Sequence, residues 1–128
     1  MTVKEFKIQY VLGTLSWNIK CDIAENINTF VEILKILTGK DEHLADRLCV
    51  ANNSTAPIEL LKILSTDVHW WVRNAVADNP NTPKDILILL KADDDPAVAK
   101  SAQKRLYDIF WDEHERIGGN IVKIGKNN

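Results

Sequence analysis

The apolar residues of this chain fall into three matching blocks. Ile33-Leu34 with Ile36-Leu37, Leu60-Leu61 with Ile63-Leu64, and Ile86-Leu87 with Leu89-Leu90 share one spacing, that of a helical face. Ahead of each block stands a second apolar pair, Ile23-Ala24, Val50-Ala51 and Val76-Ala77, followed by Asn26, Asn53 and Asn79. The stretches Ile19 to Leu37, Asp46 to Leu64 and Val72 to Leu90 align without an internal gap, and their starts lie 27 and 26 residues apart. A fourth start falls due at Val98, where the pattern fades after Ala102.

Each unit reads as helix, loop, helix. Thr82-Pro83-Lys84-Asp85 has the form of a helix start, with a Thr cap, Pro at the first helical position and an acid three residues after the cap. Thr29-Phe30-Val31-Glu32 repeats the design without the Pro. The middle unit has Ala56 in the cap column, so Thr55 is expected to cap one residue early. Gly39 is expected to stop the first of these helices. The Asn column suits a turn, because Asn bonds nearby backbone readily. One such unit cannot bury its own apolar face and must stack on neighbours. The expected fold is all-α: a short α-solenoid of about three to four helical repeats with a longer C-terminal capping helix.

The pattern resembles the leucine-rich repeat variant family, a HEAT/armadillo-like helical repeat. Val72-Arg73, Ala77-Asp78-Asn79-Pro80 and Thr82-Pro83 carry the resemblance, which covers about residues 19 to 100. The first two units depart from it, with Ile27 and Ser54 in place of the turn proline and Phe30 in place of the helix proline. The resemblance implies a right-handed solenoid in which the short first element of each unit can be a 3₁₀ helix. One branch of that family binds an iron–sulfur cluster through a separate cysteine cluster that this chain lacks.

The ends fit the same register. Trp17 falls in the column of Leu44, Trp70 and Pro96, which makes residues 14 to 24 the short helix of a first unit and Thr2 to Leu12 its partner. Thr2-x-x-Glu5 supports that start. Residues 2–21 also alternate as two strands around Gly13-Thr14, but the hairpin leaves Trp17 unexplained, so helix is the preferred reading. Asp95-Pro96 starts the last helix, expected to run to about Arg116 and to stop at Gly118-Gly119. The single domain 1–128 thus divides into a cap or partial repeat (1–18), three repeats (19–97), a capping helix (98–117) and a tail (118–128).

Charge and composition narrow the function. Sixteen Lys and Arg against 18 Asp and Glu give a net charge of -2, which argues against a protein that wraps nucleic acid along its length. No apolar stretch approaches the length of a membrane span and no signal peptide opens the chain, so no membrane partner is expected. Cys21 and Cys49 lack metal-ligand spacing, and a reduced, cytoplasmic setting is the default expectation. No phosphate loop, nucleophile elbow or paired-histidine motif appears, so no enzyme, no cofactor and no metal is expected.

The remaining candidates are for binding. Asp93-Asp94-Asp95 reads as a helix cap at the positive end of the dipole rather than a cation site. His43 and His69 share a column, but neighbouring helices stand about 10 Å apart, too far for both to hold one ion. Lys20, Arg47 and Arg73 form a basic column, expected to be half-buried and paired with Glu32, Glu59 and Asp85 from the stack. Trp70 shares the column of Trp17 and Leu44 and is expected in the core. Trp71 projects about 100° away and is expected to be exposed. Tyr107, Phe110 and Trp111 are expected to seal the last unit, and spare apolar area there also suits a homodimer. The function that follows is a non-enzymatic protein–protein interaction scaffold using Trp71, His69, Arg47 and Arg73. The alternative is nucleic-acid binding, which requires the column Lys20/Arg47/Arg73 to face solvent beside Lys100, Lys104 and Arg105.

Overall fold

The computed structural model describes residues 1–26, 28–39 and 43–116, and over these residues the chain is all-helical, with eight helices and no strand. They are α1 (Val3–Leu12), α2 (Trp17–Glu25), α3 (Val31–Leu37), α4 (Leu44–Ala51), α5 (Ile58–Leu64), α6 (Trp70–Asp78), α7 (Lys84–Lys91) and α8 (Pro96–Arg116). The N-terminal segment takes the helical alternative. Thr2 and Glu5 form a reciprocal capping box, and Gly13 at φ 69° ends α1 in the left-handed conformation that its missing Cβ permits. Ser16 caps α2 by accepting from the Ile19 N–H at 3.4 Å.

The helices pack in chain order. α2 lies against α4, α4 against α6, and α6 against α8, while α3, α5 and α7 pack against these and α1 lies on α3. Between the two rows runs a core of Leu34, Leu37, Val50, Leu61, Leu64, Val76 and Leu87, all fully buried. Each such side chain contributes about 1.5–3 kcal/mol when removed from water.

Side-chain amides tie successive helix ends together. Asn53 Nδ2 donates to the carbonyls of Ala24 (2.7 Å) and Asn26 (3.1 Å). Asn79 Nδ2 does the same to Ala51 (2.7 Å) and Asn53 (2.8 Å). In all three asparagines of the column the Oδ1 accepts, at 2.8 Å, the N–H two residues on: Asn28, Thr55 and Asn81. The last carbonyls of a helix lack intrahelical donors, and here a buried amide from the following unit supplies them.

Several local expectations need correction. Thr82 and Thr29 do not cap the helices after them. Their hydroxyls donate backwards to the carbonyls of Val76 and Ile23, closing the loop between the two helices of a unit. Pro83, Pro57 and Phe30 then stand as extended cap residues without a side-chain bond; α7 and α3 begin one residue later than anticipated, and α5 two. Thr55 likewise serves the turn, donating to Asn53 Oδ1 at 2.8 Å. α3 ends at Leu37, with Thr38 as its right-handed C-cap and Gly39 just past it as anticipated, and the Thr38 hydroxyl donates to the Leu34 carbonyl at 2.7 Å. The column of Trp17, Leu44 and Trp70 is not core: Trp17 is exposed, Leu44 half-buried and Trp70 38% exposed. Each is the first residue of its helix, past the end of the layer that covers the middle turns.

The start of α8 behaves as anticipated, with Asp95 Oδ1 accepting from the Ala97 N–H at 2.9 Å. Gly118-Gly119 and the tail lie outside the described residues. Of the aromatic group on α8, Trp111 is buried while Tyr107 and Phe110 remain over a third exposed.

Candidate functional site

Of the sequence-derived contact residues, His69 and Trp71 meet at the start of α6. His69 caps that helix, its Nδ1 accepting from the Trp71 N–H at 3.2 Å, which leaves the ring proton on Nε2. Its ring lies 5.4 Å from that of Trp71 and 6.5 Å from that of Trp70, and the two indoles are 5.7 Å apart. Trp71 is 50% exposed, as its helical projection requires. Its indole borders a shallow groove of about 340 Å³ between α4 and α6, lined also by Leu48, Asn52, Asn74, Ala75 and Asp78. Three adjacent aromatic rings on a surface with an apolar floor offer the rigid, amphipathic area that protein interfaces favour.

Arg47 and Arg73 occupy different ground. Arg47 grips Asp67 with Nε at 2.6 Å and Nη2 at 3.2 Å, and Arg73 grips Asp93 with Nε at 2.8 Å and Nη2 at 3.1 Å. Their side chains are 11% and 18% exposed. Each aspartate also accepts, through Oδ1, the backbone N–H two residues on: His69 at 2.9 Å and Asp95 at 2.8 Å. Arg47 therefore fixes the loop that leads into α6, and Arg73 the loop that leads into α8. Arg47 acts on the aromatic group through Asp67 and the His69 backbone, and Arg73 Nη1 adds a bond to the Asp67 carbonyl at 2.8 Å.

These partners correct the sequence-based expectation of Glu32, Glu59 and Asp85. Those acids stand in the first turn of α3, α5 and α7. Glu32 instead meets Lys7 at 3.4 Å on the surface. Lys20 pairs with Asp46 at 2.9 Å, a carboxylate wholly removed from solvent. Asp67 and Asp93 sit in loops outside the aligned stretches, and Asp93 reads there as part of a helix cap, so neither shows as an arginine partner; their shared distance of 20 residues from Arg47 and Arg73 was the available signal.

The electrostatics follow from this geometry. For Asp93, burial pushes the carboxyl upward, but the Arg73 guanidinium, the Asp95 N–H and the arginine's charge together outweigh it and hold the group below the usual carboxylate value. The Arg73 guanidinium is raised, chiefly by its hydrogen bond to Asp93 against the opposing effect of burial. With both arginines largely covered and neutralised, the exposed basic column that nucleic-acid binding requires is not formed.

The two cysteines were expected as separate reduced thiols. The structure joins Cys21 of α2 to Cys49 of α4 in a disulfide, with Cα atoms 5.4 Å apart. The residues are offset by one repeat plus one position, which brings them face to face on adjacent helices. Glu25 lies beside them, and the three ligand-type atoms fall within 4.8 Å of one another, but sulfurs bonded to each other are not thiolate ligands. His43 caps α4 through its backbone and takes no part in the aromatic group. Among the described residues no helix is long and apolar enough to cross a membrane. Comparison of the chain with protein-family models, with curated proteins and with solved structures finds no match.

Proposed function

We propose that this chain is a protein–protein interaction scaffold, a short α-solenoid that presents the His69-Trp70-Trp71 group and the adjoining groove to a partner. The observation that carries the reading is the half-exposed Trp71, its ring tilted against that of His69 at 5.4 Å and backed by a loop that Arg47 and Asp67 hold in place. A tryptophan kept in water costs solubility, whereas fixing it in advance reduces the ordering cost of binding. In this reading Arg47 and Arg73 are positioning residues behind the contact surface. The recurring amide and arginine clamps support the solenoid arrangement, while the Cys21–Cys49 disulfide weighs against the reduced setting that the cysteine count alone suggested.

The test is a pull-down from native extract with the wild type beside Trp71→Ala, the fold of the variant being checked by circular dichroism. A partner retained by the wild type and lost by the folded variant supports the scaffold and its contact face. Equal capture by both makes Trp71 a packing residue and moves the face elsewhere. Recovery of nucleic acid in place of protein overturns the reading.

A further inference from the structure

The molecule shows twice how the leading surface of one unit is covered by the unit before it, and it leaves that surface open once. In the second and third units Val50, Asn53 and Val76, Asn79 are buried, and the two asparagines hold the preceding helix end. In the first unit Ile23 is half-buried and Asn26 exposed, and with Met1, Asp22 and Phe30 they border a concavity of about 300 Å³. α1 does not fill this place, because it packs on α3.

The polar groups at this open end are set as in the closed junctions. Asn26 Oδ1 accepts from the Asn28 N–H at 2.8 Å, the same anchor that orients Asn53 and Asn79, so its Nδ2 is presented outward. Asn53 and Asn79 use that amide to hold two carbonyls two residues apart at the end of a helix. Among the described residues Asn26 Nδ2 has no such pair to hold.

One difference in the lining specifies the occupant further. Asp22 stands in the column of Cys49 and Ala75. In the closed junctions Cys49 meets Cys21, and Ala75 shares a groove with Leu48; Cys21 and Leu48 each lie five residues before the second clamped carbonyl. At the open end that position of the incoming helix faces a carboxylate. A cation there satisfies Asp22, and it also suits the last turns of a helix, where the dipole favours positive charge.

We propose that the Asn26 end of the stack docks the C-terminal turn of a helix from a partner protein. Its two terminal carbonyls are held by the Asn26 amide, and a Lys or Arg five residues before the second carbonyl pairs with Asp22. This surface is separate from the aromatic group, and the proposal stands whether or not Trp71 makes contacts.

The probe is a helix-stapled synthetic peptide with the sequence of residues 43–56, the segment that fills the equivalent surface of the third unit. It carries Leu48→Arg to face Asp22 and Cys49→Ser to prevent thiol exchange. Titrated into the ¹⁵N-labelled full chain, it is expected to shift the Asn26 side-chain amide and the backbone around Ile23 and Phe30 saturably. The same peptide with Leu48 unchanged is expected to bind about tenfold more weakly, the factor for one lost charge-assisted contact. Asn26→Asp keeps the turn acceptor but removes the donor, and Asp22→Lys reverses the charge. Both side chains are exposed, so both variants fold, and both are expected to lose the shifts while Trp71→Ala keeps them. Absence of shifts at millimolar peptide overturns the proposal, as does binding that neither variant weakens.

Discussion

The asparagine column shows how position alone changes what one residue is worth. Asn79 is buried, donates to two carbonyls and accepts from the Asn81 N–H, whereas Asn26 has the same turn bond but stands at the open end. Replacing Asn79 with alanine strands the Ala51 carbonyl away from water, at a cost of about 1–3 kcal/mol, and takes one of two donors from the Asn53 carbonyl, which keeps the Ala56 N–H. Asn79→Ala is therefore expected to lower the unfolding free energy by about 2–3 kcal/mol, and Asn26→Ala by under about 1 kcal/mol. Urea titrations of the two variants against wild type measure both; equal losses would mean that the amide ladder contributes nothing beyond its local turns.

Among the elements, what the chain revealed in advance was what repeats within the aligned stretches. The blocks Leu60-Leu61 and Ile86-Leu87 gave the second helices, and Val50-Ala51 and Val76-Ala77 the first, because a buried helical face must recur at a helical period. The exposure of Trp71 was legible for the same reason. Trp70 was not, since a column argument ignores that the first residue of a helix can lie beyond the layer covering it. Thr82 satisfied a capping pattern, but a hydroxyl at that point can accept from an N–H ahead of it or donate to a carbonyl behind it, and sequence cannot rank a forward cap against the backward bond to Val76. The arginine partners lay in loops, marked only by the 26-residue spacing that they share with the arginines. The Arg73–Asp93 clamp at the α6–α8 junction makes a prediction about acid. Asp93 is held below its ordinary value, so over that range the unfolded chain binds more protons than the folded one. The stabilisation is complete above the unfolded-state value of about 3.9 and is lost as pH falls through the folded-state value. Asp93→Asn is expected to lower stability at neutral pH and to flatten its decline below about pH 4. Thermal melts from neutral to strongly acidic pH read this directly, and an acid limb unchanged in the variant would remove the clamp from the account.

At the scale of the whole molecule, the packing is uneven along the chain. α6, α7 and α8 contribute many buried residues to one another, while α1 and α2 bury fully only Phe6 and Ala24. Helices arranged in chain order touch only near neighbours, so stability is a sum over junctions and a weak end can open by itself. The junction between α2 and α4 is where this matters. It carries the Cys21–Cys49 disulfide, the Lys20–Asp46 pair and the Asn53 bonds to Ala24 and Asn26. A disulfide closing a loop of this size contributes about 3 kcal/mol by restricting the unfolded chain. That is comparable to what two poorly buried helices gain from their apolar contacts. Reduction, or Cys49→Ser, is therefore expected to free α1–α3 locally rather than to unfold the chain. Hydrogen exchange followed by mass spectrometry should show residues 1–26 exchanging at least tenfold faster under reductant, with residues 70–116 unchanged. A uniform increase along the chain would mean that the helices unfold as one cooperative body. No change would mean that the amide and ion-pair contacts hold this junction without the covalent bond.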